Sequence, residues 1–443
     1  MSGTPNSYST IGGVDRRIIA LGVARMADAV ANSFLIVVLP LYIASGQLHG
    51  LRFGLSEAAF TGVTLGAFGI VNFVVQPLAG RWSDRVGRRK AFILAGLALL
   101  AVVNVAYHWT GSFLGVLGVR IVQAGAVALT IVGTVSLVSE LSVQERRGRN
   151  MGTFNSFRLT GFGIGPLLAG LVMTGGPYHL PFGMTLSAFG VTFFGAGLLA
   201  TISAGLVWWL VEDPADIEPN RERASLRVRS ASPGRLLDPV FALGVGTLFM
   251  AACIALLSPI ETLVNRHLDQ GPLLFAVEFA AFIASQAILQ PLIGRMTDER
   301  GRKKFIVVGL LGLIPTTLLQ GIAAVPWQMI VARLLQGATA AMVFAPALAL
   351  AGDLARRGQA GAQLSVLTVA FGLGIALGQF TAGFTVQFGY VIPFAVGAGM
   401  AGLGALVVHT QVNDRPGGEP VAAEEPPGRK RPAGGLREAP EPA

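Results

Sequence analysis

Long apolar stretches alternate with short polar segments along almost the whole chain. A membrane-spanning helix needs roughly 20 mostly apolar residues, and twelve stretches reach about that length. They are rich in Gly, Ala and Leu and too long for barrel strands of about ten residues, so α-helices are the expected spanning elements. The predicted spans cover residues 18–44, 57–80, 90–108, 112–139, 150–174, 182–211, 239–262, 272–293, 304–324, 327–351, 361–387 and 390–411.

The composition agrees with this pattern. Only 13% of the residues are charged and 52% are hydrophobic, and the mean hydropathy is +0.62, which excludes a soluble globular chain. Residues 1–14 lack a cleavable-signal pattern, so the first span is expected to remain in the protein. The chain contains no Walker A pattern, no histidine spacing typical of a metal site and no nucleophile beside a base. We therefore expect neither an enzyme nor a need for ATP, a cofactor or a metal.

The positive charge lies almost entirely on one side of the predicted membrane. If both termini are cytoplasmic, 27 of the 33 Lys and Arg residues fall on the cytoplasmic side. Cytoplasmic loops carry such an excess in membrane proteins, so the count predicts cytoplasmic termini in a multi-pass protein of the plasma (inner) membrane. The net charge of +9 is then a topology signal and requires no nucleic-acid partner.

A basic, glycine-punctuated segment occurs twice, at 80–90 and 294–304. Asp84 and Asp298 are 214 positions apart, and so are Gly87 and Gly301. A repeat of half the chain predicts a duplicated bundle, as in many secondary transporters. The predicted parts are a disordered N-terminus (1–14), a first bundle (15–212), a cytoplasmic linker (213–238), a second bundle (239–411) and a disordered cytoplasmic tail (412–443).

The doubled segment resembles the signature that the major facilitator superfamily carries between its second and third spans, Gly-x-x-x-Asp-Arg-x-Gly-Arg-Arg. The resemblance implies twelve transmembrane helices in two pseudo-symmetric six-helix bundles, alternating access by rocking, and a monomer. It also implies a conformational latch for the outward-open state. The predicted members are Asp84, Arg88 and Glu140 in the first half and Asp298, Arg302 and Asp353 in the second. The other basic residues of the loop are interpreted as topology signals.

Two arginines lie within spans 4 and 10. Arg120 and Arg333 each precede a glutamine by three residues and resemble the Arg-x-x-Gln-Gly element of the family. An arginine inside a span is costly and is expected to face a partner or a watery cavity. We expect Arg120 to serve coupling or substrate binding, whereas Arg333, closer to the start of its span, could also snorkel to the interface.

A glycine stripe marks span 5. It resembles the family's antiporter motif, Gly-x-x-x-Gly-Pro-x-x-Gly-Gly, which implies an exporter; plain helix packing is the alternative. A related stretch in span 11 has Gln379 where span 5 has proline. The motif residues of span 5 are Gly161, Gly165, Pro166, Ala169 and Gly170.

Intramembrane carboxylates are the candidates for coupling chemistry. Arg25 and Asp28 share a face of span 1 at i, i+3 and can pair. An ionised carboxylate is expensive there, so Asp28 is predicted to exchange a proton; the alternative is a permanent ion pair that orients span 1. Glu278 is predicted as a second protonation or cation site, or as a hydrogen-bonding group near Gln286. Glu261 is interpreted as an exposed rim residue.

The sequence thus predicts a proton-coupled antiporter that exports small lipophilic or drug-like molecules, with Arg25 and Arg120 adjusting the proton affinity of Asp28. Its expected partners are the substrate, protons and the lipid bilayer. One alternative is a metabolite or organic-anion transporter of the same fold, in which Arg25 and Arg120 hold the anion. The other is a transporter-like sensor or assembly partner without flux.

Overall fold

The computed structural model describes residues 10–11, 14–142, 147–179, 181–183, 185–213, 228–229, 236–354 and 360–413. Most of the predicted N-terminal segment, linker and tail lies outside these residues. Two short strand pairs are present, β1 (Thr10–Ile11) with β2 (Val14–Asp15) and β3 (Tyr178–His179) with β4 (Thr185–Leu186). The helices are α1 (Arg16–Ala44), α2 (Glu57–Val86), α3 (Arg89–Ala106), α4 (Phe113–Glu140), α5 (Arg147–Gly175), α6 (Ala188–Leu210), α7 (Pro239–Ala255), α8 (Glu261–His267), α9 (Pro272–Arg300), α10 (Arg302–Ile322), α11 (Pro326–Asp353), α12 (Ala360–Thr385) and α13 (Ile392–Gln411).

Together, α7 and α8 form one span, so the described residues contain twelve helices long and apolar enough to cross a membrane. This confirms the predicted all-α membrane architecture. Several helices begin at a serine or aspartate whose side chain accepts from the first-turn backbone, as Ser56 does from Ala59 and Asp238 does from Val240. These caps satisfy amides that a helix start leaves without partners.

Spans 2 and 8 are longer than predicted. α2 continues six residues past the expected end at residue 80, into the first copy of the basic segment, and α9 continues seven residues past residue 293, into the second. The charged side chains of these copies are helix-compatible and continue the helix beyond its apolar part. Gly87 then ends α2 in a left-handed conformation, with φ 65°, which glycine adopts without a Cβ penalty.

Span 7 was predicted as one helix and is interrupted. α7 ends at Ala255, a single 3₁₀ turn covers Ser258–Ile260, and α8 follows. Pro259 has no backbone N–H and its ring clashes with the preceding turn, which explains the break. The corresponding span of the first half, α1, runs without interruption and contains Pro40 within it.

The two halves meet along α2 with α12 and along α5 with α9. Here the face where α1 starts and α13 ends is called the termini face, and the opposite one the far face. Gly62, Gly66 and Gly69 of α2 approach Gln379, Phe380 and Gly372 of α12. A hydrophobic core of both halves, including Leu35, Phe60, Leu256 and Phe394, lies in the same far-face region. The halves are therefore closed against each other at the far face.

Candidate functional site

The centre of the first half is a buried ion pair on α1. Arg25 and Asp28 are only 7% and 3% exposed, and the guanidinium donates to the carboxylate. The glycine stripe of α5 lies directly against this stretch. A Cβ built on Gly161 would be 2.4 Å from the carbonyl oxygen of Met26, and one on Gly165 would be 2.8 Å from that of Val30. The two glycines thus let the α5 backbone touch α1 on both sides of Asp28.

The remaining stripe residues lead to the other half. Ala169 is fully buried, and a Cβ on Gly170 would be 2.8 Å from the Ala276 side chain of α9. Pro166 lies within α5 without ending the helix. The same helix therefore packs on the ion-pair helix with one part of its stripe and on the opposite half with another.

Arg158 is a site residue that is not among those predicted from the sequence. It lies on α5 one turn before Gly161, its charge interacts with that of Arg25, and its Nε donates to Asn155 at 3.0 Å. The available signal was a cation inside a predicted span, which is rare without a function. The centre thus holds two cations, Arg25 and Arg158, and one anion, Asp28.

Arg120 belongs to a separate network. It donates to Gln123 at 2.6 Å, Gln123 donates to Asn104 at 2.7 Å, and Tyr107 donates to the same glutamine at 3.1 Å. The guanidinium also covers the ring of Phe68 at 4.3 Å. Arg120 is seven residues from the far-face end of α4, whereas Asp28 is sixteen residues from that end of α1. The two side chains are thus at different depths, and the structure does not bring Arg120 to Asp28.

The second half repeats the arginine–glutamine element in a different setting. Arg333 donates to Gln336, which donates to the backbone oxygen of Cys253 at 3.2 Å where α7 ends. Arg333 has 0% exposure and lies 4.7 Å from the ring centre of Phe282. The alternative in which Arg333 snorkels to the interface is therefore wrong.

Two glutamates of the second half are fully buried. Glu278, predicted to lie in the membrane, has 0% exposure, and so has Glu261, which was interpreted as an exposed rim residue beside Arg266. That interpretation of Glu261 is wrong because the break before α8 directs this side chain inward. Neither carboxylate has a hydrogen-bond partner among the described residues, and this includes Gln286, the partner considered for Glu278.

The charge network at the termini face of the first half is centred on Arg89, not on Arg88. Arg89 Nη2 lies 2.7 Å from Asp84 and 2.9 Å from Glu140, and Nη1 donates to Ser83 at 2.8 Å. Arg88 is the exposed residue before α3 and makes no side-chain cap. The predicted contact of Arg88 with Glu140 is therefore corrected to Arg89.

The reason is the length of the turn. Gly87 and Arg88 both separate α2 from α3, whereas Gly301 alone separates α9 from α10. The first residue of the next helix is thus Arg89 in one half and Arg302 in the other. Arg302 Nη2 donates to Asp298 at 2.8 Å, and Nη1 donates to Asp353, as predicted.

A cleft of about 560 Å³ lies between the middle stretches of α5 and α9, on the termini-face side of the Gly170–Ala276 contact. Polar groups line one part of it and aliphatic side chains the rest, a mixture that suits a small amphipathic molecule. Its lining includes Asn155, Ser156, Thr160, Gln290, Leu159, Ile164, Leu167 and Ile283. In the described part of the chain, no group of three or more His, Cys, Asp or Glu residues could hold a metal ion.

Comparison with known proteins finds a family match over both halves. The model of the Major Facilitator Superfamily matches residues 21–258 and 243–440. Multidrug resistance protein 2 of Bacillus subtilis is 24% identical over 306 residues, covering 66% of this chain and 70% of that protein. The inner membrane transport protein YajR of Escherichia coli is 26% identical over 339 residues, covering 74% and 70%. The class E tetracycline resistance protein of Escherichia coli is 30% identical over 166 residues, covering 38% and 39%.

Solved structures share the fold at low identity. The human organic anion transporter MFSD10 superposes with a TM-score of 0.65 at 19% identity, covering 89% of this chain and 99% of that one. An inward-facing, unoccupied bacterial homologue of the human lysosomal transporter Spinster gives a TM-score of 0.68 at 15% identity, covering 89% and 96%. These likenesses establish the architecture of two six-helix bundles.

Proposed function

The chain belongs to the major facilitator superfamily, and on that premise we propose that it is a proton-coupled antiporter that exports small lipophilic or drug-like molecules by alternating access. Several relatives carry multidrug or tetracycline resistance in their names. The proposal includes cytoplasmic termini, a location in the plasma membrane and a monomeric state. The distribution of 27 of 33 basic residues supports this orientation.

The observation that carries the proposal is the buried Arg25–Asp28 pair beneath the α5 stripe. Removing one charge from a buried pair costs about 3–5 kcal/mol, because the other charge remains without compensation. Protonation of Asp28 would leave Arg25 facing Arg158 alone, inside the contact between α1 and α5. Repulsion between the two arginines would then favour a different packing of α1 against α5. The contact of Gly170 with α9 would transmit this movement to the other half.

The closed far face fits one state of this cycle. With cytoplasmic termini, the cleft between α5 and α9 lies on the cytoplasmic side of the Gly170–Ala276 contact, and the glycine contacts of α2 with α12 close the outside. An exporter loads its substrate in this state. We propose that the two charge networks of the termini face act as latches of the outward-open state. Their members are Asp84, Arg89 and Glu140 in the first half and Asp298, Arg302 and Asp353 in the second.

The test is uptake of a lipophilic cationic dye into everted membrane vesicles under an imposed pH gradient. Asp28→Asn is expected to abolish pH-driven uptake because it removes the exchangeable proton. Glu57→Gln is the matched control, since Glu57 lies at the far-face start of α2 with a half-exposed side chain. Unchanged pH-driven uptake by the Asp28→Asn protein would rule out the coupling role of Asp28.

An organic-anion transporter of the same fold is the second candidate. It is favoured by the excess of positive charge at the centre, where Arg158 lies within electrostatic reach of Arg25, which already pairs with Asp28. Counterflow of an aromatic carboxylate in proteoliposomes separates the two functions. For an anion transporter, the wild type exchanges the carboxylate and Arg158→Gln abolishes this counterflow; for the exporter, the wild type shows no carboxylate counterflow.

A further inference from the structure

Two glutamates of the second half are fully buried close to only one compensating guanidinium among the described residues, that of Arg333. Glu261 begins α8, Glu278 lies in the second turn of α9, and both have 0% exposure. None of their four carboxylate oxygens has a hydrogen-bond partner among the described residues. An ionised carboxylate in this position costs several kcal/mol unless it is paired, bound to a cation or protonated. The site therefore requires an occupant.

The two carboxylates lie at one depth of a helical hairpin. Glu261 is six residues before the end of α8 at His267, and Glu278 is six residues after the start of α9 at Pro272. At about 1.5 Å per residue, both are roughly 9 Å below the loop that joins the helices. Their charges interact with each other. The glutamates thus form one site, not two independent ones.

Arg333 of α11 reaches the same depth. Arg333 is seven residues after Pro326, its charge interacts with that of Glu278, and its Nε and Nη2 have no partner in the described part of the chain. One guanidinium balances one carboxylate and leaves one negative charge. Two carboxylates that share a buried site do not both stay ionised. The remaining negative charge must therefore be neutralised by one monovalent cation.

The surroundings of the pair offer oxygen atoms. The amide side chains of Gln270 and Asn265 lie beside Glu278 and Glu261 respectively, and Tyr390 is within electrostatic reach of Glu278. The Gln270 Oε1 and the Tyr390 hydroxyl are buried and without partners among the described residues. His267 stacks on Tyr390 at 4.1 Å, and Arg266 and Asp269 are the charged residues of the adjoining turn. Carboxylate and amide oxygens favour protons and hard cations.

The site also lies where the two halves must separate. α8 touches α1, and the 3₁₀ turn before it touches α1 and α2 of the first half. Opening of the far face would move these contacts apart and admit water to the hairpin. Broken spans of this kind form ion sites in other secondary transporters.

We propose that Glu261 and Glu278 form one site for a single monovalent cation, a proton or Na⁺, with Arg333 as its fixed countercharge. The assignment of this cation as the coupling ion of transport rests on the proposed function, whereas the site itself does not. It would give the second half a charge-exchange centre where it lacks counterparts of Arg25 and Asp28.

Infrared difference spectroscopy of the full-length protein in lipid tests the site without a substrate. The signal is the C=O stretch of protonated carboxyl groups, recorded against pH in choline chloride. Glu261→Gln and Glu278→Gln are each expected to remove one whole protonated carboxyl, because the remaining glutamate then pairs with Arg333. Arg333→Gln is expected to add one, a gain that loss of folding would not produce. Glu57→Gln is the exposed control and leaves this band unchanged.

A second arm replaces choline with Na⁺ and measures ²²Na⁺ binding to the same proteins. If Na⁺ is the occupant, the wild type binds one ion per chain and either glutamine variant binds none. The proposal is overturned if the Glu261→Gln and Glu278→Gln proteins each retain the protonated carboxyl of the remaining glutamate. It is also overturned if neither substitution changes the infrared band or the Na⁺ binding. If the wild-type protein exports no dye, the exporter function is refuted. The cation site is then still tested by the infrared band and by Na⁺ binding.

Discussion

The two halves of the molecule share their helix contacts but differ in how they hold charge. In the first half Asp28 pairs with Arg25 on the same helix, and Arg89 is buried between Asp84 and Glu140. In the second half the oxygens of two buried glutamates have no hydrogen-bond partner among the described residues, and Arg302 binds its carboxylates near solvent. The two halves therefore share their close glycine contacts between helices, but they place their charged residues differently.

The glycine contacts give the structural alignment of the halves. Gly161 meets Met26 and Ala29 of α1, and Gly374 meets Leu248 and Ala251 of α7. The second half therefore places Thr247 and Met250 opposite Arg25 and Asp28. An alignment of Pro40 with Pro259 would place Gly244 and Thr247 there instead, but Pro259 lies in the break of span 7 and Pro40 within an unbroken helix. Either way the second half has no charge at these positions.

The largest expected effect is that of Arg89→Gln. The Arg89 side chain is only 2% exposed and holds two carboxylates and Ser83 together at the ends of α2, α3 and α4. Its loss leaves those carboxylates without a cation at a half-buried site, so we expect a loss of about 3 kcal/mol in unfolding free energy. Urea unfolding of the detergent-purified protein measures this loss. A change no larger than that of an exposed lysine or arginine variant would contradict the buried-network description.

Substitution of the stripe glycines should affect both halves alike. A Cβ on Gly161 would be 2.4 Å from the Met26 carbonyl oxygen, and one on Gly378 would be 2.1 Å from that of Ala252. We expect Gly161→Ala and Gly378→Ala each to lower the unfolding free energy by about 1–3 kcal/mol through overpacking. Gly163→Ala is the control, because its nearest neighbour lies at an ordinary 3.5 Å. If Gly161→Ala or Gly378→Ala lowers the unfolding free energy no more than Gly163→Ala does, the close glycine contact is not required in that half.

Arg302→Gln is expected to have a smaller effect than its counterpart in the first half. Asp298 and Asp353 are both 63% exposed, so water replaces much of what the guanidinium supplies. Exposed ion pairs contribute at most about 1 kcal/mol. Parallel unfolding of the Arg302→Gln and Arg89→Gln proteins in low and high salt measures the difference. Equal losses in the two proteins would remove the distinction between a buried and an exposed network.

The twelve spans and their division into two halves could be predicted because they depend on features that are visible in the sequence itself. Apolar length defines the spans, and repeated glycines at constant spacing define the halves. The burial of Glu261 could not be predicted, because the break in span 7 resets the helical phase and periodicity no longer tells which way the side chain points. Arg158 was visible as an intramembrane cation, but its place beside Arg25 depends on the close approach of α5 to α1.

The smallest expected effect, that of Arg88→Gln, sharpens the same lesson. Gly87 and Gly301 are 214 positions apart, which pairs Arg88 with Arg302, whereas Glu140 and Asp353 are 213 apart, which pairs Arg89 with Arg302. The structure follows the second spacing because the first half uses one more residue in its turn. Arg88 is exposed, so its replacement should change the unfolding free energy by less than about 0.5 kcal/mol. A loss of unfolding free energy as large as that of Arg89→Gln would show that Arg88 belongs to the network with Glu140. The two halves would then correspond at an offset of 214 residues.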